Sequence, residues 1–202
     1  MNKLMILKEF IRVRWFNRFK TREDLEKYQQ KILARQLSFI RTNSPYFRKL
    51  RFSSVEDLPV MDKQFMMEHF NELNTVGVDR DKALQLAIDS EKNRDFDKKL
   101  DGISVGLSSG TSGHRGLFVI SDKEIEAWAG TILARVLPKN RILGNRVAFF
   151  LRADNNLYEG TKSSVVDFRY FDILKDMDEN VANLNTFSPT ILVAPPSVLM
   201  VL

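Results

Sequence analysis

Apolar residues recur at helical spacing from the first positions of the chain. Leu4, Leu7, Ile11 and Trp15 fall on one stripe with basic residues between them, which predicts an amphipathic helix. A second helix is predicted from Thr21, whose hydroxyl suits a cap, through Leu25, Tyr28, Ile32, Leu33, Leu37 and Ile40. Asn43-Ser44-Pro45 ends it, because a residue before proline avoids the helical region. Asp62 reads as the cap of a short helix through Phe70, and Asp79 or Asp81 as the start of another through Ile88. The polar run from Asp89 to Asp101 reads as a loop.

The pattern changes at Ile103. Ile103–Leu107 and Leu117–Ile120 are short apolar runs on either side of the loop SSGTSGHRG, so strand, small-residue loop, strand is the expectation. Ser121-Asp122-Lys123-Glu124 is a capping box, and the helix it opens presents Ile125, Trp128, Ala129, Ile132, Leu133 and Val136 on one side until Pro138 closes it. Further strands are predicted at Val147–Leu151, Val165–Phe171 and Ile191–Ala194, with a helix over Met177–Phe187. Strands alternating with helices, and written as near-continuous apolar runs, predict an α/β fold whose parallel or mixed sheet is flanked by helices. The chain stops just after Pro195-Pro196-Ser197 opens an apolar helix, Val198–Leu202, which predicts a larger domain truncated at Leu202.

Composition narrows the classes. The 202 residues include no cysteine, which excludes disulfides and thiolate metal sites and fits a reducing compartment, and the two histidines, His69 and His114, do not make an all-histidine site. No run approaches the ~18 apolar residues of a membrane span, so no stable membrane insertion is expected. The default is a soluble cytoplasmic protein. The net charge of +5 is concentrated at the start, in Lys3, Lys8, Arg12, Arg14, Arg18, Lys20 and Arg22. Those charges interrupt any signal-peptide core. Read as a packing helix, the first segment buries Leu4, Leu7, Ile11 and Trp15 and leaves its charge in water. Read as a membrane-surface or docking element, it uses Trp15, Phe16 and Phe19 among the arginines. The first is preferred, since a charge run is ordinarily a solvated face. Nucleic acid is not expected as a partner, because the basic pI comes with no RNA or DNA motif.

The chemistry lies in the small-residue loop. Gly110, Gly113 and Gly116 allow consecutive amides to point at one anion, and Ser108, Ser109, Thr111 and Ser112 add hydroxyl donors without bulk. The loop is not a Walker A motif, which needs a lysine missing here, and it is not GxGxxG opening a helix. Ser108-Ser109-Gly110-Thr111-Ser112-Gly113 resembles the phosphate loop of the adenylate-forming enzymes (acyl-CoA synthetases, adenylation domains and luciferases), and among them the phenylacetate-CoA ligase-like branch. Asn43–Arg48, Leu58–Lys63 and Ser188–Ser197 are similar to segments of that branch and occur in its order. The resemblance implies a helical extension over residues 1–42 and the first part of the family's large domain over residues 43–202.

It further implies that ATP and magnesium bind and that a carboxylic acid is activated to an acyl-adenylate. The acyl group then passes to a thiol such as coenzyme A, with Ser108, Ser109, Gly110, Thr111, Ser112 and Gly113 holding phosphates. No catalytic residue is assigned, because the family's glutamate motif, ribose aspartate and terminal lysine find no match in these 202 residues, and these alone are expected to be inactive. Many members carry a lysine shortly after the last loop glycine; here Leu117 and Phe118 follow Gly116, and Arg115 is the nearby cation. A degenerate binding or assembly module of the same fold is the alternative, and a homodimer is compatible with either. His114 within the loop is a candidate donor. Asn155, Asn156, Leu157 and Tyr158, flanked by Arg152 and Asp154, follow a predicted strand where open α/β sheets place ligand loops.

Overall fold

A computed structural model describes residues 2–108, 110, 115–151 and 166–202. The chain divides into two compact units, one of residues 1–17, 90–98 and 121–202 and the other of residues 18–89 and 99–120. Among the described residues the coarse architecture is mixed α/β, with the strands in two small sheets.

The first unit is built on a three-stranded parallel sheet. Strands β3 (Asn145–Leu151), β4 (Val166–Asp172) and β5 (Ile191–Val193) lie in the order β4-β3-β5, with Val147 opposite Phe168 and Phe150 opposite Phe171. Because alternate residues of a strand point to opposite faces, the run Val147–Leu151 feeds two cores. Val147, Val166 and Phe168 join Phe10, Val13, Ala134 and Leu137 on one side. Ala148, Phe150 and Phe171 join Phe187 and Val198 on the other. Helices α1 (Lys3–Ile11) and α7 (Asp122–Val136) thus cover one face, while α8 (Met177–Phe187) and α9 (Pro196–Leu199) cover the other. The α7 cap has the expected box: the Glu124 amide donates to Ser121 Oγ and the Ser121 amide to Glu124 Oε2.

The amino-terminal helix differs from expectation. Its buried residues are Ile6, Phe10 and Val13, while Leu4, Leu7, Ile11 and Trp15 are exposed. The predicted packing face is therefore the wrong one. Residues Ile6, Phe10 and Val13 have the same helical spacing as the stripe chosen from sequence, so periodicity alone does not choose between them. Docking on α7 does: Arg14 donates to the carbonyls of Ala134 and Leu137 at 2.8 Å and Pro138 at 2.7 Å, which anchors the π-helical turn Arg12–Phe16 at the end of α7.

In the second unit α2 (Arg22–Asn43) starts at a Thr21–Asp24 capping box and ends at Ser44, as the proline predicts. Helix α3 (Pro45–Arg48) follows at once. The helix expected through Phe70 is interrupted at His69, giving α4 (Lys63–Glu68) and α5 (Phe70–Leu73). Helix α6 (Arg80–Asn93) begins in this unit under an Asp79 cap and extends past Ile88, so the first part of the expected 89–101 loop is helical. Strands β1 (Ser104–Leu107) and β2 (Leu117–Ile120) form an antiparallel hairpin. Its inner face, Val105, Leu117 and Val119, packs on Phe70, Val78 and Ala83. Among the described residues no helix is long and apolar enough to cross a membrane.

One turn of this unit yields a titration prediction. The Asp57 carboxylate accepts the Ser53 amide at 2.8 Å, the Ser54 amide at 3.0 Å and the Ser53 hydroxyl at 3.0 Å. These donors stabilise the charged form and hold its pKa down to about 2, below the ordinary 3.8. A depressed carboxylate contributes its stabilisation above the unfolded pKa and loses it as the pH falls through the folded one. The turn is therefore expected to loosen only between about pH 4 and pH 2. A side-chain carboxyl NMR titration should place the Asp57 midpoint near the lower limit; a midpoint close to that of a free aspartate would show that the three donors are not engaged.

Candidate phosphate-binding hairpin

The hairpin register sets Leu107 opposite Leu117, which leaves residues 108–116 as the connecting loop. Its neck is closed twice. The Ser108 amide donates to the Gly116 carbonyl at 2.8 Å, and the Gly116 amide donates to Ser108 Oγ at 2.8 Å. The Ser108 hydroxyl oxygen thus braces the neck as an acceptor, and its own proton is what it can offer a ligand.

Gly110 adopts a left-handed φ of 72°, and a Cβ built there would sit 2.7 Å from Arg115 Cγ. Only glycine meets both conditions without strain. Arg115 lies against Gly110, with its Nε donating to the Ser108 carbonyl at 3.0 Å. Ser109, Thr111, Ser112, Gly113 and His114 lie outside the described residues.

Two cations that local sequence did not mark as site residues meet this loop. Asp62 caps α4 by accepting the Phe65 amide at 2.7 Å, which makes Lys63 the first helical residue. The Leu117 amide donates to Met67 Sδ at 3.2 Å and so ties α4 to the start of β2. With α4 fixed there, Lys63 Cδ and Cε come within 3.6 and 3.7 Å of the point where a Gly116 side chain would begin. Arg80, at the start of α6, reaches the Met67 carbonyl at 3.4 Å and pairs with Asp81. Lys63, Gln64, Met67, Glu68, Arg80 and Arg115 line one cleft of about 210 Å³ beside the loop. Lys63, Arg80 and Arg115 on its walls, against Glu68 and the Asp81 that pairs with Arg80, leave a positive balance that suits an anion. The motif Leu58–Lys63 contained the signal for Lys63, but it lies far along the sequence from the loop that starts at Ser108.

A second concavity, in the other unit, lies at the carboxyl end of β4. Arg94 ends α6 with a left-handed φ of 55°, a conformation costly for a residue with a side chain. Its guanidinium is ion-paired with Asp172 and donates to the Tyr170 hydroxyl at 3.2 Å, and these contacts offset the strain. A cleft of about 370 Å³ here includes Arg94, Arg169, Lys175, Asp172 and Glu179 among its walls. This is the end of a parallel sheet at which ligand loops gather. The residues expected in such a loop, Arg152, Asp154, Asn155, Asn156, Leu157 and Tyr158, lie outside the described residues.

His69 is packed against the Phe65 ring at 4.3 Å and near Tyr46 at 6.0 Å, a structural position. Among the described residues no group of three or more histidine, cysteine or acidic side chains is placed to hold a metal. No family model and no curated protein matches this chain.

Proposed function

We propose that this chain supplies the phosphate-binding part of an adenylate-forming, ATP-dependent ligase similar to the phenylacetate-CoA ligase branch. The observation that carries the reading is the glycine- and serine-rich hairpin loop, closed at its neck by Ser108 and Gly116 and bordered by Lys63, Arg80 and Arg115. In such an enzyme a carboxylate oxygen attacks the α-phosphorus of ATP, the bond to the bridging oxygen breaks, and acyl-adenylate and pyrophosphate form. A thiol such as coenzyme A then displaces AMP from the acyl carbon. Loop amides and hydroxyls orient the β- and γ-phosphates, and the neighbouring cations stabilise the charge that the departing pyrophosphate gathers. The Lys63 side chain reaches the loop base at Gly116, where this chain departs from the family's lysine placement. Magnesium binds largely through phosphate oxygens and water, so a nucleotide provides most of its donors.

The reading predicts a selective weakness. The chain should bind ATP and pyrophosphate more tightly than AMP in calorimetric titrations, because the loop addresses the outer phosphates. Lys63→Ala and Arg115→Ala should each lower that affinity about tenfold, the equivalent of one charge-assisted contact. Equal affinity for ATP and AMP, or variants that bind like the parent, would remove the reading and leave a binding or assembly module that has lost this chemistry.

A further inference from the structure

The face of α1 turned away from α7 presents an apolar stripe that continues into the turn Arg12–Phe16. Leu4 is 72% exposed, Leu7, Ile11 and Trp15 lie exposed along the same line, and Phe16, 76% exposed, follows Trp15 at the end of the π-helical turn. At 1.5 Å per residue the stripe is roughly 20 Å long. Lys3 and Lys8 are also exposed, and at about 100° per residue they fall on opposite flanks of it. The only acidic residue of α1, Glu9, is on the far side and paired with Arg12. The three bonds from Arg14 to the end of α7 hold the helix with this stripe outward.

We propose that α1 docks in the plane of a bilayer surface rich in anionic lipid. Leu4, Leu7, Ile11, Trp15 and Phe16 enter the boundary between headgroups and acyl chains, and Lys3 and Lys8 extend along the flanks to lipid phosphates. The chemistry favours lipid over a second copy of this chain. Two such faces brought together would oppose lysine to lysine, and neither face carries a carboxylate to pair them. An anionic surface complements both flanks at once, and an aromatic pair at one end of the stripe suits the interfacial zone. With five apolar contacts and two lysines the attachment is reversible and salt-sensitive.

The test is co-sedimentation of the chain with vesicles of phosphatidylcholine alone or mixed with phosphatidylserine. Binding should require phosphatidylserine, weaken with added salt and shift tryptophan emission to the blue. The Leu4→Ser/Leu7→Ser double variant replaces two exposed side chains, so its melting temperature should match the parent while its vesicle partitioning falls at least tenfold. Lys3→Gln/Lys8→Gln should bind several-fold more weakly and lose most of the salt dependence. Equal binding to both vesicle types, no binding to either, or full binding by the double variants would overturn the proposal. A concentration-dependent dimer that Leu4→Ser/Leu7→Ser abolishes, without vesicle binding, would assign the stripe to a second copy instead.

Discussion

Phe150→Ala should cost about 3–5 kcal/mol, a large part of the stability of a domain this size, which is of order 5–15 kcal/mol. Phe150 is fully buried on β3, the central strand of the parallel sheet. Its ring stacks on Phe171 of the neighbouring strand, with centroids 4.8 Å apart and planes 14° from parallel. Ala148, Phe187 and Val198 complete the same cluster. Truncation removes the transfer free energy of a whole ring and leaves a cavity between the sheet and α8 that these neighbours can fill only in part. Because β3 is hydrogen-bonded on both sides, it cannot move into the gap without breaking pairing to β4 or β5. Urea unfolding monitored by circular dichroism should show a much lower midpoint for Phe150→Ala, with Phe150→Leu in between. A loss under about 1 kcal/mol would mean that this cluster is not the packed core described here.

Gly130→Ala should destabilise the protein even though it places a better helix former inside α7. Alanine in a helix interior is favoured over glycine by about 1 kcal/mol, so on propensity alone the change is a gain. Here α1 passes too close. A Cβ at position 130 would lie 2.5 Å from the Ile6 carbonyl oxygen, 2.8 Å from Glu9 Cβ and 3.0 Å from the Phe10 amide nitrogen. Two of those atoms are backbone and cannot rotate aside, so α1 itself must shift. Overpacking of that kind costs about 1–3 kcal/mol, which equals or exceeds the propensity gain. Gly130→Leu has no such offset and should drive α1 off α7, exposing Ile6, Phe10 and Val13. The measurements are thermal unfolding for the alanine variant and hydrogen exchange over residues 3–16 for the leucine variant. A Gly130→Ala protein more stable than the parent would show that the helices are not in close backbone contact.

Much of the secondary structure was legible because it is written in short-range chemistry. The Ser121–Glu124 box and the Thr21 hydroxyl cap start their helices through contacts three residues apart, and Ser44-Pro45 stops α2 through one peptide bond. The helix over Met177–Phe187 and the near-continuous apolar run Val147–Leu151 were legible at short range in the same way. The misreadings occurred where the deciding contact is distant. The face of α1 depends on how α7 receives it, and the end of α6 is settled at Arg94, whose left-handed turn is supported by Asp172. The gathering of Lys63 and Arg80 beside the loop depends on a bond from Leu117 to Met67, which no local pattern encodes.

What the sequence determined by itself is the kind of most of the described elements and the residue types of the loop: glycines, small hydroxyls, and an α/β alternation around them. Those properties follow from dihedral limits and neighbours a few residues away. Tertiary structure alone decided which stripe of α1 meets the core, that the described strands pair as two sheets, and which cations border the hairpin loop. Each of those depends on burial or hydrogen bonding between residues dozens of positions apart, whose free energy exists only once the chain has folded.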